Sequence, residues 1–137
     1  MPHSKPPEPG VGEAVTLTDL QMDVMRVLWR GGECGAAEVT QALHAQRGLA
    51  HTTVATLLSR LHKRGLVGTR RDGRQLIYRA LVDEGQVRRS MVSGLLGSLF
   101  DGDAQALVAH LVREDAISAD DLAEVRALLD KKGRGHG

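Results

Sequence analysis

Aromatic residues are scarce in this chain, and that scarcity limits what its core can be made of. Phe, Trp and Tyr make up 2% of the 137 residues, with one copy of each. The core must therefore be aliphatic, built from Leu, Val, Ala and Met, which suits helices packed on helices. A surface that binds single-stranded nucleic acid by stacking needs several exposed rings, so this class of site is disfavoured. The length fits one domain, or one small domain with an appendage.

The cysteine count and the hydrophobic runs bear on where the protein acts. Cys34 is the only cysteine, which excludes an internal disulfide and a metal site of paired cysteines. No apolar run approaches the roughly 18 residues needed to cross a bilayer, and the N-terminus lacks the apolar segment of a signal peptide. We therefore expect a cytoplasmic protein that does not associate with membranes.

The first half of the chain predicts a disordered tail and then three helices. All four prolines lie within the first nine residues, so residues 1–15 are expected to be disordered. Thr18–Gln21 forms a capping box that starts the first helix. A second, short helix is expected over residues 36–45. The third is expected to follow an N-cap at Thr52 and to close at Gly65.

After the third helix the hydrophobic period changes from helical to alternating. Two extended runs surround Asp72–Gly73, which is a typical turn of a β-hairpin. Helical periodicity then returns over residues 84–100 and 104–112, and a last helix is predicted to begin at a Ser118 cap. Residues 133–137 are expected to form a disordered C-terminal tail.

The third predicted helix, "TTVATLLSRLHKRG", has an unusual outward face. Val54, Leu57, Leu58 and Leu61 recur at helical spacing, so that side should be buried. A merely solvated face would carry strong helix formers such as Glu, Lys or Ala. Here it carries three short hydroxyl side chains followed by three cations: Thr53, Thr56, Ser59, Arg60, Lys63 and Arg64.

Charge is unevenly distributed along the chain, although the net charge is only +1. Residues 1–82 hold 11 Lys/Arg and 7 Asp/Glu, whereas residues 83–137 hold 7 Lys/Arg and 10 Asp/Glu. The segment Arg60–Arg79 contains seven cations and a single acidic residue, Asp72. The third helix and the hairpin therefore form a local basic patch.

Three helices followed by a hairpin, with the cations on the last helix and the hairpin, are typical of a winged helix-turn-helix domain. Small hydroxyls let a helix approach the floor of the major groove, and Arg and Lys reach base edges or phosphates. The hairpin would act as a wing, placing Arg70, Arg71 and Arg74 on the flanking backbone or in the minor groove. The alternative for each feature taken alone is an ordinary solvated surface.

The same residues resemble a known family. "LTDLQMDVMRVLW", "AHTTVATLLSRLHKRGLV" and "TRRDGRQLIYRAL" are similar to the penicillinase-repressor family of winged-helix transcriptional regulators, the BlaI/MecI/CopY type. The likeness continues more weakly to about Lys132. It implies a homodimer with interlocking C-terminal helices that binds a partly palindromic operator of double-stranded DNA and represses the genes beside it.

The resemblance also implies which residues contact DNA and how the protein is regulated. The matching recognition positions are Thr52, Thr53, Thr56 and Arg60, with Lys63 and the wing arginines in support. Members of the copper-responsive branch carry paired cysteines near the C-terminus, and this chain lacks them. The β-lactam-responsive branch is cleaved at an Asn-Phe bond. Ala109–His110 stands there, so the cleavage pattern is absent, and a sensor protease stays open as a partner.

Dimerisation follows from the residues as well as from the resemblance. The helices after Asp83 have apolar faces but too little material for a core of their own, so a partner subunit should bury them. We therefore predict a mainly α protein with a small β-hairpin, divided into a winged helix-turn-helix DNA-binding domain over residues 16–82 and a helical dimerisation domain over residues 83–132. The expected interface residues are Leu95, Leu96, Leu99, Leu107, Leu111, Val125 and Leu129.

Other chemistry finds little support in the sequence. His44, His51 and His62 lack the spacing of a metal site, and no phosphate loop or nucleophile elbow is present, so we expect no metal, no cofactor and no enzymatic activity. Cys34 is interpreted as an inert turn residue rather than a redox sensor. Two other functions stay open, a winged-helix module that docks a polypeptide and a regulator that senses a small molecule.

Overall fold

The computed structural model describes residues 15–135, and the predicted tails lie outside this range except for Val15 and residues 133–135. The predicted class, mainly α with a small β-hairpin, is confirmed, and one further short strand is present. In chain order the elements are α1 (Asp19–Gly31), β1 (Cys34–Gly35), α2 (Ala36–Arg47), α3 (His51–Lys63), β2 (Val67–Asp72), β3 (Gln75–Ala80), α4 (Glu84–Phe100), α5 (Ala104–Arg113) and α6 (Ala119–Gly135).

The helices begin as predicted where a side chain and a backbone amide exchange hydrogen bonds. At α1 the Gln21 amide donates to Thr18 Oγ1 at 3.2 Å, and the Thr18 amide donates to Gln21 Oε1 at 3.0 Å. Ser118 and Asp121 exchange the same pair of bonds at 2.9 and 3.1 Å, which confirms Ser118 as the cap of α6. Such reciprocal bonds satisfy two amides that a helix start otherwise leaves without partners.

The start of α3 was predicted wrongly. The N-cap is Ala50, which offers no side-chain acceptor, and the helix begins at His51. Thr52 is therefore already helical, and its carbonyl accepts a hydrogen bond from Thr56 Oγ1 at 3.0 Å. The hydroxyl of Thr52 does not cap the helix.

The sheet is antiparallel with the order β1-β3-β2, so β3 is central. Cys34 pairs with Tyr78 and Gly35 with Ile77, which makes Cys34 a strand residue rather than the predicted turn residue. In the hairpin Asp72 pairs with Gln75, so the two loop residues are Gly73 and Arg74, one position later than predicted. Of these two loop residues, Gly73 has a positive φ (64°) and Arg74 does not. A two-residue turn of type II′ has its positive φ at the first loop position.

One hydrophobic core joins α1, α2, α3, the sheet and the first turns of α4. Its fully buried side chains are aliphatic, as the scarcity of aromatics predicted, and they include Met25, Leu43, Leu58 and Leu61. Trp29 lies at the edge of this core, where its indole N–H donates to the carbonyl of Val82 at 2.8 Å. This bond fixes α1 to the segment that follows β3.

The chain divides into two compact units, one ending at Gly94 and the other beginning at Leu95. Val87 of α4 is fully buried in the first unit, and Val15, the last residue of the predicted tail, is also buried there. In the second unit no described side chain is buried, and Leu99 and Leu129 are 69% and 65% exposed. The second unit therefore has no interior of its own within the described residues.

Replacement of Leu61 by Ala is expected to lower the free energy of unfolding by about 2–5 kcal/mol, because it opens a cavity under α3. Ser59→Ala, on the exposed side of the same helix, should change this free energy by less than about 0.5 kcal/mol. Chemical denaturation at a fixed protein concentration measures both. Equal effects of the two substitutions would mean that the buried face of α3 is not the one described.

Candidate nucleic-acid interface

The orientation of α3 is set by its apolar side. Val54, Leu58 and Leu61 are completely buried, and Leu57 is nearly so. Because successive residues are rotated by about 100° around a helix, burial of these four turns the remaining positions toward solvent. All five predicted contact residues on this helix are exposed: Thr52, Thr53, Thr56, Arg60 and Lys63.

Thr56 illustrates what the exposed hydroxyls can do. Its Oγ1 donates to the Thr52 carbonyl one turn earlier, so the hydroxyl proton is engaged within the helix. The oxygen lone pairs then face outward and can accept from a donor such as the amino group of adenine or cytosine. A side chain this short also lets the helix backbone come close to a surface.

The three arginines of the hairpin are exposed, but they are not equivalent. Arg70 donates from Nε and Nη2 to the two carboxylate oxygens of Glu33, at 3.0 and 2.9 Å. Arg71 and Arg74 have no ion pair with an acidic residue of the described chain within 4.0 Å. The predicted cluster is therefore reduced to two arginines with uncompensated charge and one that belongs to an ion pair.

Glu33 was not predicted as a site residue from the sequence, although its carboxylate binds the guanidinium of Arg70. It immediately precedes β1 at one edge of the sheet, whereas Arg70 lies in β2 at the other edge. The ion pair thus links the two sides of the sheet and holds the hairpin to the body of the domain. The hydrogen bond from Arg70, followed by its positive charge, lowers the pKa of Glu33, and the same contact raises the pKa of Arg70.

At its first residue α3 also contacts α2. Nδ1 of the exposed His51 lies 3.3 Å from Oγ1 of Thr40. Thr40 Oγ1 in turn lies 2.8 Å from the carbonyl of Ala36, to which it donates. This contact joins the His51 ring to α2 at the junction of the two helices.

Cys34, which directly follows Glu33 in the chain, is buried. Burial raises the pKa of its thiol, and the negative charge of Glu38 raises it further. Since the thiolate is the reactive form, both effects disfavour a redox-sensing role.

Neither a metal centre nor a membrane span is found in the described part of the chain. Between residues 15 and 135 no three His, Cys, Asp or Glu side chains are grouped so that they could hold a metal ion. Within the same range no helix has both the length and the apolar character that crossing a bilayer requires.

The domain consists of three packed helices and a short sheet. It has an exposed face of hydroxyls and cations on α3 and further cations on the hairpin. These features define a winged helix-turn-helix protein of the DNA-binding class. The model of one family, described as penicillinase repressor, matches residues 17–131. The chain therefore belongs to the penicillinase repressor family. The members of this family are transcriptional repressors and not enzymes, so the family resemblance and the absence of enzymatic function expected from the sequence are confirmed.

Two relatives resemble the chain over most of its length, and one solved structure resembles about half of it. The transcriptional regulator BlaI of Mycobacterium tuberculosis is 37% identical over 123 residues, covering 88% of each chain. The methicillin resistance regulatory protein MecI of Mammaliicoccus sciuri is 25% identical over 116 residues, 85% of this chain and 94% of that one. Bacillus licheniformis BlaI, solved in monomeric form in complex with the blaP half-operator, is 27% identical and covers 54% of this chain and 90% of its own, with a TM-score of 0.47.

The Glu33–Arg70 pair predicts a specific acid titration. Because the folded pKa of Glu33 is lowered, the pair is intact above the ordinary value of 4.5 and is lost as the pH falls through the lowered value. Carboxyl-carbon NMR should show Glu33 titrating below 4.5 in the wild type. In Arg70→Gln the midpoint should move upward, and an unchanged midpoint would exclude the pair.

Proposed function

We propose that this repressor binds a partly palindromic operator as a homodimer, with α3 of each protomer in the major groove and the hairpin on the flanking backbone. The observation that carries the proposal is the division of α3 into two faces. One face is fully buried aliphatic side chain, and the other is an exposed row of hydroxyls and cations. The genes beside the operator would be repressed.

The exposed residues divide into two kinds of contact. Thr52, Thr53, Thr56 and Arg60 lie on the helix that would enter the groove, where base edges can be read. Lys63, Arg71 and Arg74 supply positive charge for phosphates, which position the protein without reading sequence. Arg70 is assigned mainly to holding the hairpin, because Glu33 already neutralises it.

The exposed apolar side chains of the second unit support the homodimer. Seven residues would form the interface: Leu95, Leu96, Leu99, Leu107, Leu111, Val125 and Leu129. In the described protomer all seven are at least partly exposed. Burying leucine side chains stabilises an assembly by about 1.5–3 kcal/mol each. A two-fold dimer would then present two copies of α3 about 34 Å apart, matching successive turns of one face of the duplex.

Release of DNA through the cleavage used by the β-lactam-responsive branch is not part of the proposal. Ala109–His110 stands in place of the Asn-Phe bond and lies inside α5 (Ala104–Arg113). A protease needs an extended backbone at the bond that it cuts, so this helix would have to open first.

Substitution of the exposed arginines should separate base contacts from phosphate contacts. Arg60→Ala is expected to relax the preference between operator and variant sequences by about 1–3 kcal/mol. Arg71→Ala and Arg74→Ala should weaken binding to all duplexes and reduce the salt slope by about one each. Arg70→Ala should change the slope less, because the Arg70 guanidinium is already bound to Glu33 and is not counted among the phosphate contacts.

Fluorescence anisotropy with a duplex selected from a randomised library by the full chain measures these effects. Arg126→Ala in α6 is the control for loss of one positive charge outside α3 and the hairpin, and it should leave the salt slope unchanged. Binding without sequence preference in the wild-type protein would contradict the assignment of α3 to the major groove.

Leu129→Asp should convert the dimer into monomers, because it places a charge in the apolar interface. Sedimentation velocity should show the change in mass, and affinity for the full palindrome should fall while affinity for a half-site is retained. Lys131→Asp, on the opposite side of α6, is the matched control and should remain dimeric. A wild-type protein that sediments as a monomer while binding the palindrome tightly would overturn the dimer.

A further inference from the structure

A shallow crevice lies where α2 meets the start of α3, and the functions assigned above do not use it. Its walls are formed by Ala37, Thr40, Gln41, His44, Ala45 and His51. Two of these residues are histidines, and both are exposed. No acidic residue is among these six residues of the described chain, so a positive charge that forms here is not neutralised by the crevice itself.

The hydrogen bonds around Thr40 favour one tautomer of the His51 ring. A threonine hydroxyl has one proton, and at Thr40 this proton is donated to the Ala36 carbonyl. Toward His51 the oxygen then acts as an acceptor, an arrangement that matches the tautomer with a proton on Nδ1. In the neutral ring this leaves Nε2 without a proton and as the site at which the next proton is gained.

The position of His51 relative to DNA follows from the docking of helix-turn-helix domains. The helix before the recognition helix crosses the phosphate backbone, and the N-terminal residues of the recognition helix enter the groove beside it. His51 is the first residue of α3 and is hydrogen-bonded to α2. It therefore lies at the point where these two helices would pass a backbone phosphate.

We propose that His51 is a pH-dependent phosphate contact, in which protonation of Nε2 creates a charged donor to the DNA backbone and raises operator affinity. The inference rests on the proposed docking of α3 in the major groove. Histidine is the side chain that ordinarily changes charge between about pH 5 and 8. Since phosphate binds the protonated form, affinity should increase as the pH falls through this range.

The neighbouring groups define the controls. His44 of α2 lines the same crevice and is the other titratable side chain there, whereas the cations of α3 begin at Arg60, more than two turns away. His51→Asn keeps a donor at the position of Nδ1 and removes the titrating nitrogen. His44→Asn removes the second histidine, and His51→Lys supplies a charge that does not titrate in this range.

The test compares these full-length variants on the duplex selected from a randomised library, at about pH 5.5 and about pH 8. Wild-type affinity should rise about three- to tenfold at the lower pH, and the salt slope should steepen by about one per protomer. His51→Asn should lose both changes, His44→Asn should keep them, and His51→Lys should bind tightly at both values. Circular dichroism checks that each variant is folded.

The outcomes separate this inference from the proposed function. If binding is sequence-specific and His51→Asn keeps the wild-type pH dependence, the proposed role of His51 is wrong, whereas the proposed repressor function still holds. Loss of the pH dependence in His44→Asn but not in His51→Asn would overturn it equally. Absence of sequence preference at both pH values would contradict the docking of α3, on which the inference depends.

Discussion

The functional face of this domain depends on the burial of one side of α3. Val54, Leu58 and Leu61 have no exposed surface, and returning each to water would cost about 1.5–3 kcal/mol. A rotation of the helix by one residue, about 100°, would expose most of this set and bury hydroxyls and cations in its place. The aliphatic core therefore fixes which residues face solvent, and no separate contact is needed to orient Thr56 or Arg60.

Much of the fold could be predicted because its signals are local. A capping box such as Thr18–Gln21 or Ser118–Asp121 involves residues three positions apart, and helical periodicity repeats within a few turns. The errors have physical causes too. The hydroxyl of Thr52 indicated an N-cap. The helix instead begins with the amide of Val54 donating to the carbonyl of Ala50, and no side chain caps it. Strand β1 has two residues, too few to show a period, and it exists only because β3 lies beside it.

The candidate site was predictable in its exposed residues but not in their partners. Solvent exposure of the five predicted contacts on α3 follows from helical periodicity, and the three arginines of the hairpin lie close to its turn, where side chains are usually exposed. The pairing of Arg70 with Glu33, 37 positions away, cannot be predicted in this way, because it depends on how the sheet brings two distant segments together. The contact of His51 with Thr40 is of the same kind, since it requires the angle between α2 and α3.

The strand order of the hairpin has one more consequence. β2 is an edge strand, and an edge presents unpaired amides and carbonyls to which a strand of another chain can add. Arg71 lies on this edge without an ion pair to a described acidic residue, and its charge resists such addition. The positive charge of Arg71, which is proposed to meet phosphate, would thus also disfavour pairing between the sheets of two free repressor molecules.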